Sequence, residues 1–155
     1  MRILEKNRAK YWQRDKNVCA FCDQQVLADQ LIEKLSSKDW MVLASKYPYL
    51  DGNLMLIPRP HITSIDDLSE TEWQDFISIL KNAKKVLSAV FQTDSFNIAL
   101  NLGQNSGASI EHIHWQIVPR PKKLNANTYN VFNDFWFVTM DYKELIKKIN
   151  KLDIK

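Results

Sequence analysis

The stretch His112 to Val118, HIHWQIV, alternates strictly: Ile113, Trp115 and Ile117 fall on one side of an extended chain, and His112, His114 and Gln116 on the other. A segment of this kind buries its apolar side against a core, and the PRP that follows stops it, because proline cannot continue a sheet ladder. It predicts a half-buried strand whose second face gathers three polar side chains, including two of the chain's three histidines. Neighbours on that face stand roughly 6.5 to 7 Å apart, so the trio is able to surround one phosphate. A neutral imidazole attacks phosphorus well when a hydrogen bond holds its other nitrogen. Spacing alone leaves ordinary packed or solvated histidines as the alternative.

Other periodicities supply the rest of the frame. Residues from about Leu27 to Leu35 read as a short helix, and WMVLAS and GNLMLIPR as two strands joined through the turn signals of KYPYLDG. This antiparallel hairpin places residues 46–52 at one end of a sheet. Ser69 followed by Glu72 is a capping box. Behind it Trp73, Phe76, Ile77, Leu80, Leu87 and Val90 recur at helical spacing, with Lys81, Lys84 and Lys85 opposite. SFNIALNLG alternates again, ends at Gly103 and gives way to the turn QNSGAS. FWFVTM is a further strand or edge segment, and DYKELIKKINKL a terminal helix. The order predicts an α+β domain with a mainly antiparallel sheet of about five strands and helices packed on it.

At 155 residues the chain fits one domain, 1–155, with a core large enough to need no disulfide. Lys plus Arg number 21 against 18 Asp plus Glu, a formal charge of +3, too small for a nucleic-acid surface but compatible with a polyphosphate ligand. No apolar run approaches the roughly 20 residues that cross a bilayer, and MRILEKNRAKYWQRD is unlike a secretory signal. The chain therefore reads as cytoplasmic, without a membrane partner. In that compartment the close pair Cys19 and Cys22 favours metal binding or redox chemistry over a structural disulfide.

The segment NLGQNSGASIEHIHWQIVPRP resembles the signature of the histidine-triad superfamily, in which a Gly-rich turn precedes His-x-His-x-His. ASKYPYLDGNLMLIPRPHI resembles the nucleotide-binding hairpin of the same family. With CAFC, the matching segments lie between about Cys19 and Pro121, and glutamine at the third position is similar to the branch of galactose-1-phosphate uridylyltransferase and the diadenosine tetraphosphate phosphorylases. The resemblance implies that His114 attacks an α-phosphorus to form a nucleotidyl-histidine and that Gln116 hydrogen-bonds the phosphoryl group. An amide does not titrate near neutral pH, so the glutamine suits leaving groups that are stable anions and a charged phosphate as second acceptor.

Asn101 and Ser109 fall where the family contacts phosphate, and Gly103 and Gly107 would let backbone amides approach an anion; an ordinary turn would use the same residues. Ser45 stands where an Asn or Asp commonly holds the ribose, Asn53 where histidine is frequent, and Ala108 where Gln is frequent. Tyr47 and Leu43 are placed either to touch a base or to pack. By the same resemblance Cys19, Cys22, His61 and His112 form a structural zinc site, a two-thiolate, two-imidazole set. Family members usually dimerise, and YNVFNDFWFV supplies either interface or core in a homodimer. The implied activity is nucleotidyl transfer or phosphorolysis on dinucleoside polyphosphates. Hydrolysis of those compounds or of nucleoside phosphoramidates, and a non-catalytic nucleotide-binding module with structural zinc, remain as alternatives.

Overall fold

Strong local signals place the first elements. Asp23 accepts from the Gln25 backbone N–H at 2.8 Å and starts α1 (Gln24–Gln30). The helix stops there because Leu31 leaves it to bridge Leu43, while Ile32 N–H donates to the Val42 carbonyl. The helix expected over residues 27–35 is therefore split, and Glu33–Leu35 forms only a 3-10 turn. The computed structural model describes residues 18–120 and 139–153.

Two strands follow, β1 (Trp40–Ala44) and β2 (Leu54–Pro58), then α2 (Glu70–Phe91), β3 (Phe96–Leu100), β4 (Trp115–Pro119) and α3 (Tyr142–Lys151). The strands form one antiparallel sheet in the order β1-β2-β4-β3. Four strands lie among the described residues, against about five expected. Most of FWFVTM, and the aromatic run from Tyr129 to Val138, lie outside those residues; Thr139 and Met140 are in no strand.

The capping box forms as the sequence predicts, with Ser69 Oγ accepting from Glu72 N–H and the Glu72 carboxylate accepting from Ser69 N–H at 2.8 Å. The buried stripe of α2 is Phe76, Ile79, Ala83, Val86 and Leu87, whereas Ile77 is 53% exposed. One residue advances a helix by about 100°, which carries Ile77 off the stripe that Phe76 begins.

The sheet has two covered faces. Trp40, Val42, Leu54, Leu56, Trp115 and Ile117 pack against α2 and α3, where Tyr142, Leu145 and Ile149 complete the core. Trp115 sits in an aromatic cluster there, its ring 5.6 Å from Trp40 and 4.7 Å from Phe76. On the opposite face Met41, Leu43, Met55 and Ile57 pack against Phe21. The alternation in HIHWQIV is thus met on both sides, with Trp115 anchoring the strand so that its neighbours face the other way.

Two tight contacts fix the hairpin end. Gly52 has φ +83, and a Cβ there would overlap the rings of Phe91 and Pro119, so only glycine fits. Beside it, Asp51 Oδ1 accepts from the Thr139 and Met140 N–H groups at 2.8 and 2.9 Å, tying the segment that leads into α3 to the hairpin. No helix among the described residues is long and apolar enough to cross a membrane.

Candidate functional site

His112 and His114 lie immediately before β4, outside the ladder, and Ile113 N–H between them donates to the Ile62 carbonyl at 2.9 Å instead of to β2. The strand expected from His112 therefore starts at Trp115, although the alternation of faces holds throughout. His114 is 8% exposed, and burial holds its pKa below the usual histidine value. Its Nδ1 lies 2.9 Å from the His112 carbonyl oxygen. Only a protonated nitrogen can donate to that oxygen, so the neutral ring carries its lone pair on Nε2.

His112 is fully buried, and its Nε2 lies 3.0 Å from the Pro58 carbonyl oxygen, which fixes the opposite tautomer and leaves the lone pair on Nδ1. Burial, followed by the neighbouring His61, pushes its pKa down to about 4. That Nδ1 faces the cysteines, 3.5 Å from Cys19 Sγ and 3.8 Å from Cys22 Sγ, while His61 Nδ1 is 3.5 Å from Cys22 Sγ. All four ligand atoms lie within 4.8 Å of one another. A tetrahedral zinc with ordinary Zn–S and Zn–N bonds sets its ligand atoms roughly 3.3 to 3.8 Å apart, so this quartet needs only a small contraction to close on a metal. Burial, then Cys19, raises the Cys22 pKa to about 11, and a bound cation reverses that preference for the thiol.

Gln116 faces the same side as the histidines. Its Oε1 accepts from Asn53 Nδ2 at 2.8 Å, and Ala99 of β3 and Met55 of β2 flank it across the sheet. Ser45 is buried beside the hairpin end, its N–H donating to the Asn53 carbonyl at 3.0 Å. Leu100 pairs with Trp115, so the chain leaves β3 at Asn101 next to the point where His114 enters β4. Gly107 and Ser109 are exposed in the connection between those strands, and Gly103 and Gly107 have positive φ. No hydrogen bond joins Asn101, Gly107 or Ser109 to the histidines among the described residues. Leu43 is fully buried in the cluster around Phe21 and is a packing residue; Tyr47 is half-buried.

Three participants were not read from the sequence. Phe21 packs its ring edge-on against His114, 5.0 Å between centroids, and lies 6.0 Å from His112. Its position between Cys19 and Cys22 was the available signal, since a turn that brings both sulfurs to His112 also delivers the ring to His114. Asn53 shares the parity of Met55 and Ile57, which marks its face but not its partner. The Pro58 carbonyl leaves no signal in side-chain chemistry.

The model of the HIT domain matches residues 33–123, more than half of the chain, and that span contains the hairpin, α2, β3 and the histidine segment. The chain belongs to the HIT family. It is 32% identical over 99 residues to a protein named AP-4-A phosphorylase from Mycobacterium tuberculosis, covering 57% of this chain and 51% of that one. It is 27% identical over 92 residues to a bis(5'-adenosyl)-triphosphatase from Dictyostelium discoideum, covering 59% and 62%. This HIT chain thus spans about half the length of the curated relatives it matches. Among solved structures it superposes on a Zn-bound histidine triad family protein from Mycobacterium smegmatis with a TM-score of 0.64 at 18% identity, covering 90% of this chain and 98% of that one. A hypothetical histidine triad nucleotide-binding protein from Sulfolobus tokodaii gives 0.65 at 21%, covering 84% and 88%. The HIT fold, an antiparallel sheet with helices packed on it, is common to all three.

Proposed function

We propose that this HIT protein transfers nucleotidyl groups from dinucleoside polyphosphates through a covalent intermediate on His114. The observation that carries the reading is the His114 tautomer: with Nδ1–H donated to the His112 carbonyl, the Nε2 lone pair is the nucleophile. Nε2 attacks the α-phosphorus, a P–N bond forms, and the P–O bond to the remaining nucleotide breaks. That nucleotide departs as an anion and needs no proton. An oxygen of a second acceptor then attacks the same phosphorus, breaks the P–N bond and returns the lone pair to Nε2. Gln116 donates an amide hydrogen bond to the phosphoryl group in both steps. Ser45, Asn101, Gly107 and Ser109 are proposed contacts to the nucleotide and its phosphate.

Zinc, held by the Cys19 and Cys22 thiolates with His61 and His112, would supply a structural cross-link between the N-terminal turn and the histidine segment. His114 stays outside that set and is available for chemistry. A homodimer in the cytoplasm is the proposed setting, and exposed Ile98 in β3, the edge strand among the described residues, and Leu102 just beyond it are apolar surface suited to a second copy.

The names of the relatives include both a phosphorylase and triphosphatases, so the second acceptor is the point to test. The protein is incubated with diadenosine tetraphosphate, with and without inorganic phosphate, and the products are separated by chromatography. Phosphate-dependent ADP alongside ATP is expected. AMP and ATP without phosphate would make the acceptor water, and unchanged substrate would leave nucleotide binding as the function.

A further inference from the structure

Gln116 is useful to a phosphate in only one of its two amide orientations. With NH2 toward the ligand it donates; with the oxygen toward the ligand it repels. The two orientations have the same shape, so packing does not choose between them. The choice is made by a short chain of hydrogen bonds that starts from backbone groups. Tyr49 N–H, which can only donate, lies 3.2 Å from one side-chain atom of Asn53, so that atom is the oxygen Oδ1. The Leu54 carbonyl, which can only accept, lies 3.0 Å from the other, so that atom is Nδ2. The second hydrogen of Nδ2 then points to Gln116 at 2.8 Å, and the Gln116 atom that receives it is Oε1. Its NH2 group is left as the end directed away from Asn53.

Asn53 is well placed to transmit this direction. It is 1% exposed, follows the conformationally fixed Gly52, and its own N–H and C=O are engaged with the Leu50 carbonyl and the Ser45 N–H. Both hydrogens of its amide are used, so it cannot turn over without losing two bonds and opposing Tyr49 N–H with another N–H.

We infer that Asn53 is a positioning residue for phosphoryl recognition: it fixes the Gln116 amide with NH2 toward the substrate phosphate and never touches the substrate. The inference rests on the proposed role of Gln116. Asn53 then acts on ligand affinity only through residue 116.

The test is a cycle of four full-length proteins: wild type, Asn53→Leu, Gln116→Ala and the double variant. Each is titrated with AMP by calorimetry, after its melting temperature has been recorded. Leucine has as many side-chain heavy atoms as asparagine, adds no charge, and removes both amide donors together with the acceptor for Tyr49 N–H. Asn53→Leu is expected to weaken AMP binding roughly three- to tenfold, the cost of losing the preferred orientation of one hydrogen bond to a charged phosphate. In the Gln116→Ala background the same change is expected to have no effect beyond about twofold. Should leucine prevent folding, Asn53→Ala replaces it in the same cycle with the same expectation.

A merely structural Asn53 would lower affinity equally in both backgrounds. Losses that multiply therefore overturn the relay, as does Asn53→Leu with wild-type affinity. A wild-type protein that binds no AMP overturns the proposed function of the site, and the relay with it. The two failures are distinguished by the first titration.

Discussion

His112 and His114, one residue apart, carry their protons on opposite nitrogens: Nε2 of the first donates to Pro58 and Nδ1 of the second to His112 itself. Backbone carbonyls set both tautomers. One lone pair consequently faces the two cysteines, and the other is left on His114 Nε2. In the proposed function two identical side chains would thereby serve as a metal ligand and as a nucleophile without any difference in covalent structure.

His114→Ala is expected to abolish covalent labelling of the protein by a dinucleoside polyphosphate carrying isotope at the α-phosphorus. AMP affinity should stay within about tenfold, since one hydrogen bond or contact at most is lost. Labelling that survives in the variant would place the nucleophile elsewhere.

Burial lowers the pKa of His114, so its neutral, nucleophilic form persists below the ordinary titration range. The rate of label formation should therefore begin to fall at a lower pH than the titration of an ordinary histidine would give, which a pH profile of labelling reads. Stability moves the same way in metal-free protein. Unfolded His112 takes up a proton near pH 6.5 and folded His112 only near about 4, so the unfolded state binds more protons between those values. The contribution is whole above about pH 6.5 and is lost as pH falls toward 4, by on the order of 3 kcal/mol. Urea unfolding at pH 7 and pH 4.5 measures it, and equal stabilities would contradict it.

Protein purified without chelator should contain about one zinc per chain, and Cys22→Ser should lose most of it. Chelation should lower the melting temperature by several degrees, because the Cys19–Cys22 turn carries Phe21, the ring against His114. Metal analysis giving only traces would remove the zinc assignment.

Gly52→Ala should destabilise the fold by about 2 to 4 kcal/mol, combining a left-handed backbone with overlap on Phe91 and Pro119. Calorimetric melting reads the change. A shift below about 1 kcal/mol would mean the hairpin end gives way easily.

The legible parts of the site were those written in a single element or in side-chain chemistry. Ser69 and Glu72 announced α2 and the HIHWQIV alternation announced the polar face, while the family resemblance supplied the quartet Cys19, Cys22, His61 and His112, whose ligand atoms the fold brings within 4.8 Å of one another. What stayed hidden depended on partners distant in sequence. Asn53 and Gln116 each depart from the histidine pattern of the family, and they meet across 63 positions in one hydrogen bond. Nothing in either local sequence says so. The start of β4 was misplaced for a similar reason: the alternation continues through His112, but Ile113 N–H is taken by Ile62, so the ladder begins three residues later, at Trp115.

The Asp51 contact to Thr139 and Met140 bears on how this chain is to be cut. The region matching the family ends at residue 123, yet α3, latched to the hairpin by that carboxylate, places Leu145 and Ile149 in the main core. At the other end the match begins at residue 33, after Phe21 and both cysteines. A fragment trimmed to 33–123 would keep His114 and Gln116 while discarding Cys19 and Cys22, half of the proposed metal set, and a wall of the core. We expect such a fragment to be insoluble, and a soluble one to need both the Cys19–Cys22 turn and α3.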